Sequence, residues 1–179
     1  MRPISLAFAL AVAAAVPACG GAVAESPLTV RLGISHDATE KALREHQFCL
    51  ETSTSTVKHT QQKQNYPRCK RAAAEHGEAW VVALYDGDKL IELRRYERYT
   101  DDNRAVERWN ELLAARMKTS PASEAALQQI KDKGLLQAGT RTVKAFEAEP
   151  GTVVGVYLLN PSPPEQANVL EQITYGKRD

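Results

Sequence analysis

The stretch WVVALYDGDKLIELRRYERY, residues 80–99, has the residue pattern of a β-hairpin. Two runs rich in β-branched, aromatic and aliphatic residues flank the segment Asp86-Gly87-Asp88-Lys89. An Asp-Gly pair between such runs is a strong hairpin signal, because glycine adopts a positive φ without a steric penalty. We therefore predict two antiparallel strands joined by a turn at Gly87.

The side chains of this hairpin alternate between two faces. One face is apolar, and we predict that it faces the core; its residues are Trp80, Val82, Leu84, Ile91 and Leu93. The other set mixes aromatic, aliphatic and charged residues: Val81, Ala83, Tyr85, Leu90, Glu92, Arg94, Tyr96 and Arg98. This second face is either a solvated sheet surface, on which arginine stems lie along tyrosine rings, or a recognition surface, because Tyr and Arg often anchor protein interfaces.

Helices are predicted on both sides of the hairpin in the chain. Asp37, with Glu40 three residues later, is positioned to begin a short helix upstream. Downstream, Thr100 or Asp101 is positioned to cap a long helix whose apolar residues recur at helical spacing, with Trp109 as a core residue. A further helix is expected to begin at Pro121, since proline is favoured at the first helical position.

The last forty residues predict a second hairpin followed by a helix. The strands are expected at Thr140 to Ala148 and Val153 to Leu159, joined at Pro150-Gly151. A short final helix would dock through Val169, Leu170 and Ile173. The predicted fold class is α+β, with an antiparallel sheet of two hairpins and helices packed on one face.

The amino terminus has the pattern of an export signal. Arg2 precedes an apolar run of secretory length that is too short to span a bilayer. We predict a signal peptide at residues 1–24 and a single α+β domain at 25–179, located in the periplasm or at the outer membrane.

Two processing sites compete within this signal. Val16-Pro17-Ala18-Cys19 resembles a bacterial lipobox with Cys19 as the acylated residue, whereas Ala22-Val23-Ala24 suits ordinary signal peptidase. We favour lipidation at Cys19, so that the membrane is contacted only through a lipid anchor. Because Pro17 is unusual in a lipobox, a soluble periplasmic form stays open.

The two other cysteines, Cys49 and Cys69, are expected to form a disulfide because exported chains meet an oxidising compartment. Closing a loop of about 20 residues would stabilise the fold by about 3 kcal/mol. The alternative is a pair of buried free thiols. The segment between the cysteines is strongly polar, which favours the disulfide, since such a segment has little apolar surface of its own to bury.

Charge and motif content exclude several classes of function. Removing Arg2 with the signal lowers the number of Lys and Arg residues from 23 to 22, which equals the 22 Asp and Glu residues. A chain without net positive charge is a poor nucleic-acid binder. The four histidines are scattered, and we find no catalytic motif. We therefore expect no metal site, no cofactor and no catalytic residue, although a site assembled from distant residues stays possible.

Residues 28 to 99 resemble one repeat unit of the β-lactamase-inhibitor-protein-like fold, which is also similar to the small outer-membrane assembly lipoproteins. The resemblance rests on Gly33-Ile34-Ser35, a short helix, Cys49, a polar excursion, Cys69 and the hairpin. It implies an exposed sheet face, aromatic and polar, that binds a partner protein. The partner-binding residues that it implies are Tyr85, Glu92, Arg94, Tyr96 and Arg98.

We therefore expect a non-enzymatic exported envelope protein, a lipoprotein, that binds a partner protein through a Tyr/Arg sheet face. A sharper hypothesis makes it an inhibitor or immunity protein against a secreted hydrolase or toxin, such as one that degrades peptidoglycan. The alternative is a structural or assembly lipoprotein of the outer membrane. A third class, an enzyme with a spatially assembled site, is not excluded by sequence.

Overall fold

The computed structural model describes residues 26–51, 54–56, 61–69 and 78–176. The predicted signal peptide at 1–24, with Cys19, lies outside the described residues. Within the described ranges, seven strands form one antiparallel sheet: β1 (Thr54–Thr56), β2 (Gln61–Pro67), β3 (Glu78–Asp86), β4 (Lys89–Arg98), β5 (Thr140–Glu149), β6 (Thr152–Leu159) and β7 (Val169–Tyr175). The helices of these ranges are α1 (His36–Glu45), α2 (Asp102–Met117) and α3 (Glu124–Asp132). The α+β class and the antiparallel sheet are confirmed.

Both predicted hairpins are present. Asp86 pairs with Lys89 across the β3–β4 turn, and Gly87 has a φ of 57°. Glu149 pairs with Thr152 across the β5–β6 turn, where Gly151 has a φ of 78°. Each glycine adopts the left-handed conformation that a tight turn requires.

The predicted final helix is wrong, because this segment is β7. The order across the sheet is β1-β2-β3-β4-β7-β6-β5, so β7 lies between the two hairpins and pairs antiparallel with β4 and β6. Its residues from Val169 to Thr174 are all buried. A strand in this position supplies hydrogen-bond partners to the inner edges of both hairpins, which a helix could not do.

Each of the three described helices begins after a residue whose side chain caps it, and the sequence predicted this cap correctly only for α2. Of the two predicted caps of α2, Thr100 and Asp101, the cap is Asp101, which accepts a hydrogen bond from the Asn103 N–H. At α1 the cap is Ser35 rather than Asp37, because the Ser35 hydroxyl accepts from the Ala38 N–H. At α3 the cap is Ser123, and the helix does not begin at Pro121.

Helices pack on both faces of the sheet, so the prediction of a single helical face does not hold for α3. We call the side that α1 and α2 cover the α2 face; its buried residues include Leu43, Tyr66, Val81, Ala83, Tyr85, Leu90, Leu93, Ala105, Leu112, Val154, Val156 and Ile173. The opposite side is the α3 face; its hydrophobic core consists of Val82, Tyr96, Ala126, Ile130, Ala145, Val153, Tyr157, Leu159, Ala167 and Leu170.

A β-bulge corrects the predicted faces of the first hairpin. Tyr85 pairs with Leu90 but Leu84 pairs with Glu92, so Ile91 is an extra residue in β4. The bulge and the turn register place Leu93 opposite Ala83, on the α2 face. The prediction that Leu93 shares a face with Val82 is therefore wrong, and the α3 face of this hairpin carries Trp80, Val82, Leu84, Glu92, Arg94, Tyr96 and Arg98.

The predicted disulfide is confirmed, with Cys49 and Cys69 bonded at an S–S distance of 2.06 Å. The bond joins the chain that follows α1 to the end of β2. Backbone pairing reinforces the connection, because the Cys49 N–H donates to the Pro67 carbonyl at 2.9 Å.

A buried ionic network connects α2 to the sheet. Arg95 on β4 contacts the carboxylates of Glu97 and Glu171 at 3.2 and 3.0 Å. Arg108 and Arg116 on α2 donate to the same two carboxylates, Arg108 to Glu97 at 2.8 Å and Arg116 to Glu171 at 2.5 Å. Three cations therefore surround two anions beneath α2.

Candidate functional site

The α3 face carries a cavity of about 170 Å³ on the strands of the first hairpin and β2. Its lining residues are Lys63, Val82, Leu84, Glu92, Arg94 and Tyr96. We call this cavity the sheet pocket. The helix on this face, α3, contacts β5 and β6 at the other end of the sheet. Lys63, Leu84 and Arg94 are each partly exposed, so solvent reaches the pocket.

Strand register explains why these residues lie together. Lys63 on β2 is opposite Leu84 on β3, and Leu84 is opposite Glu92 on β4. The next row on the same face places Val82 opposite Arg94. Since residues two apart on a strand share a face, two adjacent rows across three strands form the pocket.

Arg94 is held in place by its neighbours. Its Nε donates to Glu92 Oε1, and its Nη1 lies 3.4 Å from the Tyr96 hydroxyl. Burial alone lowers the pKa of Arg94, but the charge and hydrogen bond of Glu92 outweigh it and the pKa is raised. The guanidinium therefore stays a cation with its orientation determined by the protein.

A chain of hydrogen bonds connects Glu92 to the part of the face near α3. Gln172 Nε2 donates to Glu92 Oε1 at 2.9 Å, and the Tyr157 hydroxyl donates to Gln172 Oε1 at 3.0 Å. Gly155 leaves room for the Tyr157 ring, because a Cβ there would lie 2.5 Å from Tyr157 Cε2. Burial raises the pKa of Tyr157, so its hydroxyl stays protonated and remains a donor.

Aromatic and cationic groups form the rim of the sheet pocket. The rings of Trp80 and Tyr96 stack with centroids 5.3 Å apart, and the Arg98 guanidinium lies 5.2 Å from the Trp80 ring centroid. Arg98 Nη2 donates to the Glu165 carbonyl at 2.7 Å, which connects β4 to the loop before β7. Tyr96 is only 4% exposed, and burial raises its pKa despite the opposing effect of Arg94.

The structure brings together four of the five residues implied as partner-binding: Glu92, Arg94, Tyr96 and Arg98. Tyr85 lies on the α2 face and is fully buried. Its ring stacks on His36 with centroids 3.7 Å apart, and its hydroxyl lies 2.9 Å from that of Tyr66. The bulge at Ile91 accounts for the misplacement, because it reverses parity between the turn and the rest of β4.

Sequence reasoning missed Lys63, Gln172 and Tyr157. Lys63 lies in the polar excursion between the cysteines, where the pattern QQKQNY alternates too weakly to identify an inward face. A helix that docks through Val169, Leu170 and Ile173, as the sequence predicts, gives no indication that Gln172 lies beside Glu92. The signal that was available is the set of β-branched residues in VLEQIT, namely Val169, Ile173 and Thr174, which favour a strand over a helix.

The chemistry of the lining favours binding over reaction. Apart from Glu92, which is engaged by Arg94 and Gln172, the lining contains two cations, a tyrosine and two aliphatic residues.

Among residues 26–51, 61–69 and 78–176, no group of three or more His, Cys, Asp or Glu residues is placed to hold a metal ion. The helices within these ranges all lack the length and apolar character needed to cross a membrane.

Comparisons with known proteins do not add an assignment. The chain matches no protein-family model, no curated protein and no solved structure. The resemblance to the β-lactamase-inhibitor-protein-like fold therefore stays a prediction, and a fold alone does not determine a function.

Proposed function

We propose that this protein binds a partner protein of the cell envelope through the sheet pocket and its rim. One observation carries the proposal: a concavity floored by Val82 and Leu84 is bordered by Arg94, Tyr96 and the Trp80–Arg98 pair. Trp, Tyr and Arg are the residues most enriched among interface hot spots, which cluster in pockets rather than on flat surface.

Rigidity supports the same conclusion. Glu92, Tyr96 and Gln172 are almost fully buried, and hydrogen bonds orient Arg94 before any partner arrives. Side chains that are already ordered lose little conformational entropy on association, so more of the contact energy appears as affinity. A preorganised cluster of this kind suits a specific, long-lived complex.

The export pattern and the disulfide support an envelope location. We propose that the protein is a lipoprotein acylated at Cys19 and that it acts as an inhibitor or immunity protein against a secreted hydrolase. The second candidate, an assembly lipoprotein of the outer membrane, is favoured by the lipobox pattern at Val16 to Cys19. Replacing Cys19 by alanine while export is retained separates the two: an inhibitor keeps its potency, whereas an assembly factor loses its activity.

Site-specific photocrosslinking tests the binding surface. We would place p-benzoylphenylalanine at position 84, inside the sheet pocket, and at position 110 on the exposed side of α2 as a matched control. Irradiation of cells that export each variant should give a discrete adduct from position 84 and none from position 110. Equal adducts from both positions, or none from position 84, would contradict the proposal.

A further inference from the structure

The sheet pocket has an excess of positive charge. Its lining contains the cations Lys63 and Arg94 and one carboxylate, Glu92. Glu92 is already engaged by Arg94 Nε and Gln172 Nε2. Among the described residues, Lys63 has no carboxylate within ion-pair distance, so no described carboxylate neutralises its charge.

Arg94 also retains hydrogen-bonding capacity. Its Nε edge is used by Glu92, while Nη1 has a single long contact to the Tyr96 hydroxyl at 3.4 Å. A guanidinium presents a planar array of donors that matches a carboxylate, and the Nη edge of Arg94 can donate hydrogen bonds to a further carboxylate. The unused donors and the uncompensated charge therefore lie in the same cavity.

The size and floor of the pocket limit what enters it. A volume of about 170 Å³ is smaller than the roughly 300–1,000 Å³ of typical small-molecule sites. Val82 and Leu84 provide apolar surface for one or two methylene groups. These dimensions suit a single amino-acid side chain that has an aliphatic stem and a negative end.

We propose that the sheet pocket binds one acidic side chain, Glu or Asp, of the partner protein. Its carboxylate is held between the Lys63 ammonium and the Nη edge of Arg94, and its methylene groups pack on Val82 and Leu84. This inference rests on the proposed function and extends it by specifying the chemistry that the partner presents. A desolvated carboxylate held by two cations would contribute both specificity and association rate.

The test uses N-acetyl-glutamate N-methylamide as the probe and N-acetyl-glutamine N-methylamide as its uncharged match. Each is titrated into the ¹⁵N-labelled protein while the amide signals of Val82 and Leu84 and the Trp80 indole signal are followed. The glutamate probe should give saturable shifts at these positions that weaken with added salt, whereas the glutamine probe should bind at least about tenfold more weakly. Equal binding of both probes, or no saturable shift with glutamate, overturns the inference.

Two lysine variants provide the internal control. Lys63→Gln should weaken glutamate binding about tenfold, because it removes a charge that no described carboxylate neutralises. Lys144→Gln alters an exposed lysine on β5 and should leave binding unchanged. Lys63 carries no described ion pair, so its substitution is not expected to unfold the protein. Equal effects of the two variants would also overturn the inference.

The inference of an acidic side chain can fail while the proposed binding function holds, and the crosslinking experiment separates these two outcomes. If position 84 crosslinks a partner but Lys63→Glu leaves the yield of that adduct unchanged, a protein binds the pocket without using an acidic side chain. If no adduct forms at position 84, the proposed function itself fails.

Discussion

Arg95 on β4 and Glu171 on β7 form a buried ion pair, with 3.0 Å between Arg95 Nη2 and Glu171 Oε2 and neither side chain more than 1% exposed. The same carboxylate accepts from the Leu28 N–H at 3.1 Å and from Arg116 on α2. Glu171 thus joins the central strand, the long helix and the first described segment of the chain. Burying charges is costly, and the cost is offset only while every partner is present.

Replacing Glu171 by glutamine should therefore destabilise the protein by about 3–5 kcal/mol, since the buried Arg95 and the partly buried Arg116 would be left with too little negative charge. Urea unfolding monitored by circular dichroism measures this loss. Glu107→Gln is the matched control, because Glu107 pairs with Arg104 on the exposed side of α2 and should cost less than about 0.5 kcal/mol. Similar midpoints for the two variants would contradict this account of the network.

Stability should fall in acid because of Glu97. Burial by itself raises the pKa of this carboxyl, but the charges of Arg95 and Arg108 and the hydrogen bond from Tyr99 lower it from 4.5 to about 2. A folded-state pKa below the unfolded value means that the carboxylate stabilises the fold above about pH 4.5, and that this contribution is lost as the pH falls towards 2.

Over that range the wild-type protein should lose on the order of 3 kcal/mol more unfolding free energy than a Glu97→Gln variant, which has no proton to gain at this position. Denaturant unfolding at a series of pH values provides the comparison. Parallel pH profiles for the two proteins would show that Glu97 is not the acid-sensitive group.

Local signals in the sequence were sufficient for the hairpins and for α2. Asp86-Gly87 and Pro150-Gly151 determine turns through backbone geometry, and Asp101 caps a helix through one hydrogen bond. These interactions act within a few residues, so a single sequence reveals them. The grouping of Glu92, Arg94, Tyr96 and Arg98 on one face follows from alternation alone.

What could not be predicted depends on distant contacts. The segment that forms β7 is only seven residues long, and the spacing of Val169, Leu170 and Ile173 in it fits either a helix or a buried strand. Its pairing with β4 and β6 decides in favour of the strand. The bulge at Ile91 shifts the register by one residue and so moves Tyr85 away from the Tyr/Arg face. Lys63 reaches the pocket only through the pairing of β2 with β3.

Tyr96 belongs to the core of the α3 face, although the alternation of side chains assigned it to a face away from the core. It is 4% exposed and packs in the core of the α3 face with Val82 and Leu170. Tyr96→Ala should therefore cost about 3–5 kcal/mol, comparable to removal of a buried aromatic ring, whereas Tyr96→Phe keeps the ring and should cost about 1 kcal/mol. Thermal unfolding of both variants tests this, and a Tyr96→Ala melting temperature equal to that of the wild type would contradict it.

The Cys49–Cys69 bond should stabilise the fold by closing the polar segment between the two cysteines. Replacing both cysteines by serine is expected to lower the unfolding free energy by about 3 kcal/mol, because the unfolded chain regains the freedom of a loop of about 20 residues. Cys69 is exposed, so a reductant should reach the bond and produce the same loss in the wild-type protein. The double serine variant is the control, since reductant should leave its stability unchanged. Quantitative thiol labelling that finds both cysteines free in the native protein would contradict the prediction.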